Sequence, residues 1–144
     1  MAHEADARKA VEVLLVEDNP AEVRLIREAL AISRMPHRLH VVGDGEQALD
    51  FVRGTGAHAG SPPVDLMLLD LNLPRLHGHE VIEKLRADKP TRRFPIVVLT
   101  SSKLEEDIER TFALHAEHIV KPTELFEYVR ELAFALGLVR GRAA

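Results

Sequence analysis

The chain contains no cysteine. That excludes disulfides and thiolate chemistry, and it is compatible with a cytoplasmic location. It has no excess of positive charge: 19 basic against 23 acidic residues give a formal net charge of −4. Bulk electrostatics therefore supply no reason to expect a nucleic-acid partner. No apolar run is long enough to span a bilayer, so no membrane partner is expected. The first residues, Met1-Ala2-His3-Glu4-Ala5-Asp6, carry acids where a signal peptide needs positive charge, and no apolar stretch follows them. There is no internal repeat and no low-complexity tract. The eight histidines include no His-x-x-x-His pair of the kind that binds metal from one helix face, which favours scattered histidine over a histidine metal site.

What is present is an ordinary globular balance, 46% hydrophobic and 29% charged over 144 residues, the length of one domain with one core. The organising stretch is Val64-Asp65-Leu66-Met67-Leu68-Leu69-Asp70-Leu71-Asn72-Leu73-Pro74. Its apolar residues are nearly continuous, the mark of a strand buried on both faces, and it ends on a carboxylate followed by a turn. Other strands are expected at 11–16, 38–42, 95–99 and 119–120. Helices are expected from Asn19-Pro20 to about Ser33, over 46–52, after Gly78 with Val81, Ile82 and Leu85 inward, after Ser102 with Ile108, Phe112 and Leu114, and from about Thr123 to Leu136, where Gly137 is a plausible stop. Residues 54–63 form the most loop-like segment. Strand and helix thus alternate five times, which predicts an α/β fold: a parallel sheet with right-handed crossovers and helices on both faces.

That topology has a chemical consequence. Asp18, Asp70, Thr100 and Lys121 each lie just past or at the end of a strand, so parallel strands gather all four on one edge of the sheet, where ligands bind in such folds. Glu17, Asp18 and Asp70 would place up to three carboxylates in one cleft, and like charges that close call for a cation. Hard oxygen ligands suit Mg²⁺. Lys121 supplies a point charge for phosphate and Thr100 a hydroxyl donor. Together these groups describe phosphoryl transfer to an aspartate nucleophile.

Val-Glu-Asp-Asn at 16–19, Leu-Leu-Asp-Leu-Asn-Leu-Pro at 68–74, Leu-Thr-Ser-Ser at 99–102 and Val-Lys-Pro at 120–122 resemble the receiver domain of two-component response regulators. The Asp-Leu-Asn-Leu-Pro form, the long loop before it and Leu114-His115 most resemble stand-alone receivers paired with phytochrome-type kinases. The resemblance implies a flavodoxin-like (βα)5 doubly wound fold, a five-stranded parallel sheet of order 2-1-3-4-5. It implies a receiver domain at 11–136 between an N-terminal tail at 1–10 and a C-terminal tail at 137–144. Asp70 matches the phosphoacceptor, which takes phosphate from a phosphohistidine of a sensor histidine kinase. Asp18 matches the main Mg²⁺ ligand, Glu17 a second acid acting through water, and Asn72 the position whose backbone carbonyl completes the metal site. Thr100 matches the switch hydroxyl and Lys121 the phosphate-contacting lysine. His118 departs from the aromatic residue common three before that lysine, the gap from His115 to Lys121 is one residue shorter than in phytochrome-associated receivers, and His77 replaces an Asp or Asn before the turn glycine.

Too few residues follow Leu136 for a DNA-binding output domain, so output is expected through protein contact, with an unknown downstream protein or a phosphotransfer protein. The last helix is apolar beyond one face, and Phe126, Tyr128 and Phe134 mark a surface for partners or for a homodimer. By resemblance the face combines this helix with the fifth strand and fourth helix. No enzymatic turnover beyond self-catalysed phosphotransfer and autodephosphorylation is expected. Two other readings compete. An aspartate-nucleophile phosphatase of the haloacid dehalogenase type is suggested by Asp70-Leu71-Asn72, but it needs an acid where Asn72 stands. A phosphorylation-independent scaffold would not need Asp18, Asp70, Thr100 and Lys121 together. Gly43-Asp44-Gly45-Glu46-Gln47-Ala48 fits a dinucleotide fingerprint, yet Asp44 and Glu46 would meet the pyrophosphate with negative charge, so it reads as a turn and helix start.

Overall fold

In a computed structural model the chain is described over residues 10–143, with side chains through Val139. The tail expected at 1–10 therefore lies outside the described residues except for Ala10. Five strands, β1 (Val11–Val16), β2 (His37–Val42), β3 (Leu66–Leu69), β4 (Ile96–Thr100) and β5 (Glu117–Val120), alternate with five helices. These are α1 (Pro20–Ser33), α2 (Gly45–Arg53), α3 (Gly78–Ala87), α4 (Glu105–Ala113) and α5 (Leu125–Ala143). The sheet is parallel throughout, in the order β2-β1-β3-β4-β5. This is the expected doubly wound, flavodoxin-like fold.

Strand periodicity divides the core in two. From β1, Val11, Val13 and Leu15 point to one face, where Ile26 and Leu30 of α1 meet Tyr128, Leu132 and Leu136 of α5. Leu14 and Val16 point to the other, against Ala48 and Leu49 of α2 and Val81, Ile82 and Leu85 of α3. The half-polar β2 pairs only with β1 and forms an edge.

Helix boundaries follow local chemistry. The Asn19 side chain accepts from Ala21 N at 2.9 Å and Pro20 opens α1. Asp44 accepts from Gln47 N at 2.8 Å, which makes the glycine-rich turn a helix cap rather than a phosphate cradle. His77, the variant in the turn, caps α3 through its ring, with Glu80 reaching back to the His77 amide at 3.3 Å. Arg86 of α3 fastens two loops: its guanidinium donates to Leu114 O (2.9 Å), Phe94 O (2.7 Å) and His115 O (3.1 Å).

One expectation at the C-terminal end is corrected. Gly137 does not stop α5, which continues to Ala143 through the segment assigned to a tail. Among the described residues a Cβ at Gly137 would meet nothing within 4 Å beyond its own helix, and its φ is not left-handed, so the glycine acts as an unstrained helical residue. Phe112, one of the apolar residues that mark α4 in the sequence, is 57% exposed.

Candidate functional site

The site is built at the carboxyl edge of β1, β3, β4 and β5. Val16 and Leu69 are paired in register, so Glu17 stands level with Asp70 on the neighbouring strand, and Asp18 follows at the rim, exposed. The Asp70 amide donates to Val16 O at 3.2 Å, which fixes the end of β3 against β1. Asp70 is only 7% exposed. One carboxylate oxygen accepts from Asn72 N at 3.3 Å, the other from Lys121 Nζ at 3.2 Å. Lys121 follows β5, and its own amide donates to Thr100 O at 2.7 Å.

Lys121 Nζ also donates to Glu17 Oε1 at 2.8 Å and lies 3.9 Å from Glu22. Glu17 Oε2 accepts from Asn19 N at 3.1 Å, so both its oxygens are engaged by protein groups. Burial pushes the Glu17 carboxyl up, and Lys121 is the counter-charge that offsets it. Burial by itself would lower Lys121, but its hydrogen bond to Glu17 and the charges of Asp70 and Glu17 outweigh that and raise it. Lys121 is thus held as an ammonium. Thr100 is fully buried, its hydroxyl oxygen accepting from Ser102 N at 3.3 Å.

The donor set fits a hard divalent cation. Glu17, Asp18 and Asp70 carry three negative charges and Lys121 one positive, an excess of two at this edge. With Glu17 turned to Lys121, Asp18 and Asp70 are the carboxylates of this set left without that engagement by Lys121 and the Asn19 amide together. Accordingly, no group of three His, Asp or Glu side chains able to hold an ion occurs among the described residues.

Of the surface residues expected from the sequence, Phe126 is 72% and Phe134 57% exposed on α5. Tyr128 is not among them: it is fully buried, and its hydroxyl donates to Glu22 Oε2 at 2.8 Å. The near-continuous apolar pattern of α5 gave no basis for choosing its inward face. Burial pushes the Tyr128 phenol up, and the hydrogen bond to Glu22 adds to the effect, so it stays a donor. Sequence reasoning missed Glu22 and Tyr128 as neighbours of Lys121; the only signal was an acid in the first turn of α1.

It also missed a histidine cluster beneath the β4–α4 loop. His118 Nδ1 lies 2.9 Å from Thr111 Oγ1, and His79 Nε2 lies 3.0 Å from the same oxygen. His79 is fully buried and its Nδ1 has no hydrogen-bond partner among the described residues. Burial, then the charges of Arg110 and His77, lower its pKa below the ordinary 6.5. The unfolded chain therefore takes up this proton first as pH falls. The contribution of neutral His79 to stability is complete above about pH 6.5 and is lost as pH falls through the lower folded value. Urea midpoints measured across that window should fall towards acid in the wild type and fall less in His79→Gln. Equal slopes would refute this role.

The response regulator receiver domain pattern matches residues 13–132, and the chain belongs to that family. Among its relatives is response regulator Rcp1 of Synechocystis sp., 39% identical over 115 residues, 80% of this chain and 77% of that one. The phosphorylated cyanobacterial phytochrome response regulator RcpA has a crystal structure that matches with a TM-score of 0.83 at 38% identity, over 94% of this chain and 97% of RcpA. The Mn²⁺-bound form of Rcp1 matches with a TM-score of 0.78 at 35% identity, over 86% of this chain and 90% of that one. The protein is therefore a receiver-type signalling protein similar to phytochrome response regulators. No helix among the described residues is long and apolar enough to cross a membrane.

Proposed function

We propose that Asp70 accepts a phosphoryl group from a phosphohistidine on a sensor histidine kinase, a phytochrome-type kinase in view of the relatives, and that the phosphorylated chain signals through a changed protein-contact face. The observation that carries this reading is the bridge from Lys121 Nζ to Asp70 and Glu17 at the sheet edge. In the transfer, an Asp70 oxygen attacks phosphorus in line, the P–N bond breaks, and the imidazole departs with the bond's electron pair. Asp18, Asp70 and the Asn72 carbonyl would hold Mg²⁺, which offsets charge on the transferring group when bound. Lys121 exchanges its contact with the Asp70 carboxylate for the phosphoryl oxygens, and Thr100 donates its hydroxyl to them. Water attack on phosphorus then breaks its bond to the Asp70 oxygen, releases inorganic phosphate and returns Asp70 to a carboxylate.

The consequence is a population shift in β4, α4, β5 and α5. Their outer surface carries Phe112, Phe126 and Phe134, exposed apolar groups suited to a homodimer or a downstream protein in the cytoplasm. The phosphatase alternative lacks its acid at Asn72 and finds no support in the family.

Incubation with a small phosphodonor and Mg²⁺, followed by intact mass measurement, tests the reading. A gain of one phosphoryl group that requires Mg²⁺ and disappears with a chelator is expected. No gain, or a gain indifferent to the chelator, would overturn it.

A further inference from the structure

Thr111, fully buried on α4, sits at the centre of a proton ledger. Its Oγ1 lies 3.0 Å from His79 Nε2, 2.9 Å from His118 Nδ1 and 2.9 Å from Asp107 O. A hydroxyl has one proton to donate and two lone pairs to accept with. His118 Nε2 faces Ser102 O at 3.3 Å, a carbonyl that only accepts, so Nε2 carries a proton. With His118 neutral, its Nδ1 is bare; Thr111 donates to it and accepts from His79 Nε2–H. With His118 protonated, Nδ1–H donates into Thr111 Oγ1, and the hydroxyl turns to Asp107 O. Both histidine contacts keep a donor and an acceptor in either state, while the contact with Asp107 O has a donor only when His118 is protonated. Uptake of one proton from solvent at His118 Nδ1, with one rotation about the Thr111 Cβ–Oγ bond, interconverts the two states.

His79 cannot take the proton in place of His118, because its buried Nδ1 faces no acceptor. The charged groups around the cluster are otherwise committed. On α4, the Asp107 carboxylate accepts from Ser102 Oγ at 2.5 Å and Arg110 pairs with Glu83 of α3 at 2.7 Å. At the start of α3 the ring of His77 caps the helix. On β5, Glu117 is exposed, and the Lys121 that follows the strand pairs with Glu17 and Asp70.

The cluster reaches the switch hydroxyl in two steps. His118 holds Ser102 O, and the Ser102 amide holds Thr100 Oγ1 at 3.3 Å. A donor that gains a positive charge makes a hydrogen bond roughly twice as strong. We propose that His118 is a proton-reading positioning residue for Thr100: on protonation it grips Ser102 O, keeps the Thr100 hydroxyl in its resting place, and so opposes the switch that follows phosphorylation of Asp70. This rests on the Asp70 reading above. It adds a control by pH that the hydroxyl rotor of Thr111 makes possible.

The test measures affinity for a phosphoryl mimic, beryllium fluoride with Mg²⁺, from about pH 8 to about pH 5.5, the range in which histidine charge changes. Wild-type affinity should fall towards acid by about tenfold more than that of His118→Phe, the factor that a one-unit coupling gives. Thr111→Val keeps His118 but gives Nδ1–H no acceptor, so its profile should flatten as well; a merely structural role for Thr111 would not change the slope. Ring nitrogen chemical shifts should show His118 passing from the Nε2–H form to the doubly protonated form together with movement of the Thr100 and Ser102 amide signals. Equal pH slopes in all three proteins would overturn the proposal alone. Absence of any complex at every pH would overturn the Asp70 reading, and this proposal with it.

Discussion

Asp70→Asn should abolish phosphorylation by a small donor while leaving the fold intact. The amide is no nucleophile towards phosphorus, and no other carboxylate takes its place. Glu17 is tied to Lys121 and the Asn19 amide, and Asp18 stands at the exposed rim. The substitution is close in shape: an amide oxygen can still accept from Asn72 N or from Lys121. It also removes one of the carboxylates crowded at this edge, so thermal stability without divalent ion should not fall. Ion affinity should drop on the order of a hundredfold, because one of the two carboxylates proposed to hold the ion is gone and the charge excess falls from two to one. Intact mass and calorimetry read these effects separately. A phosphoryl group retained by the variant would mean that another residue is the acceptor.

The sheet and its site were legible for the same reason. Buried parallel strands have nearly continuous apolar runs, and each of the four motifs stands at the end of one, so topology alone brings Asp18, Asp70, Thr100 and Lys121 to one edge. What the pattern could not supply was orientation within that edge. Lys121 and Glu17 are 104 residues apart, and their contact depends on side-chain reach, not periodicity. The engaged state of Glu17, expected as a ligand through water, is a product of that contact. Similarly, Thr111 reads as an ordinary helix residue until His79, 32 residues away, and His118 converge on its hydroxyl. Tyr128 was placed outside because α5 is apolar on more than one face. Tyr128 packs inward with Ile26, Leu30 and Leu132, and the Glu22 carboxylate gives its buried phenol an acceptor. The end of α5 was misjudged because a glycine with no strain and no close neighbour is a helix stop only by frequency, not by necessity.

Gly78→Ala should be the most damaging small substitution near the site. Gly78 begins α3, and its amide donates to Leu71 O at 2.9 Å, so the helix start lies directly on the turn that leaves Asp70. An added Cβ would stand 2.7 Å from Asp70 O and 2.7 Å from Leu71 Cα, with Leu71 Cδ2 at 3.0 Å. The first two are backbone atoms and cannot rotate away, so either α3 lifts off the sheet or the Asp70 peptide moves. Overpacking of this kind costs about 3 kcal/mol, the upper end for one added methyl, because nothing flexible absorbs it. For a domain of this size that is a fall of about 10 °C in Tm. The Asp70 carboxylate would move with its peptide, and a displacement of about 1 Å in a reacting group is worth roughly a hundredfold in rate. Phosphorylation should therefore slow well below the temperature at which the variant unfolds. Gly43→Ala is the control: no atom lies within 4 Å of its added methyl and its φ is not left-handed, so stability and phosphorylation rate should stay near wild type. If Gly78→Ala matched Gly43→Ala in both measurements, the packing of α3 against the Asp70 peptide would not be what holds the nucleophile in place.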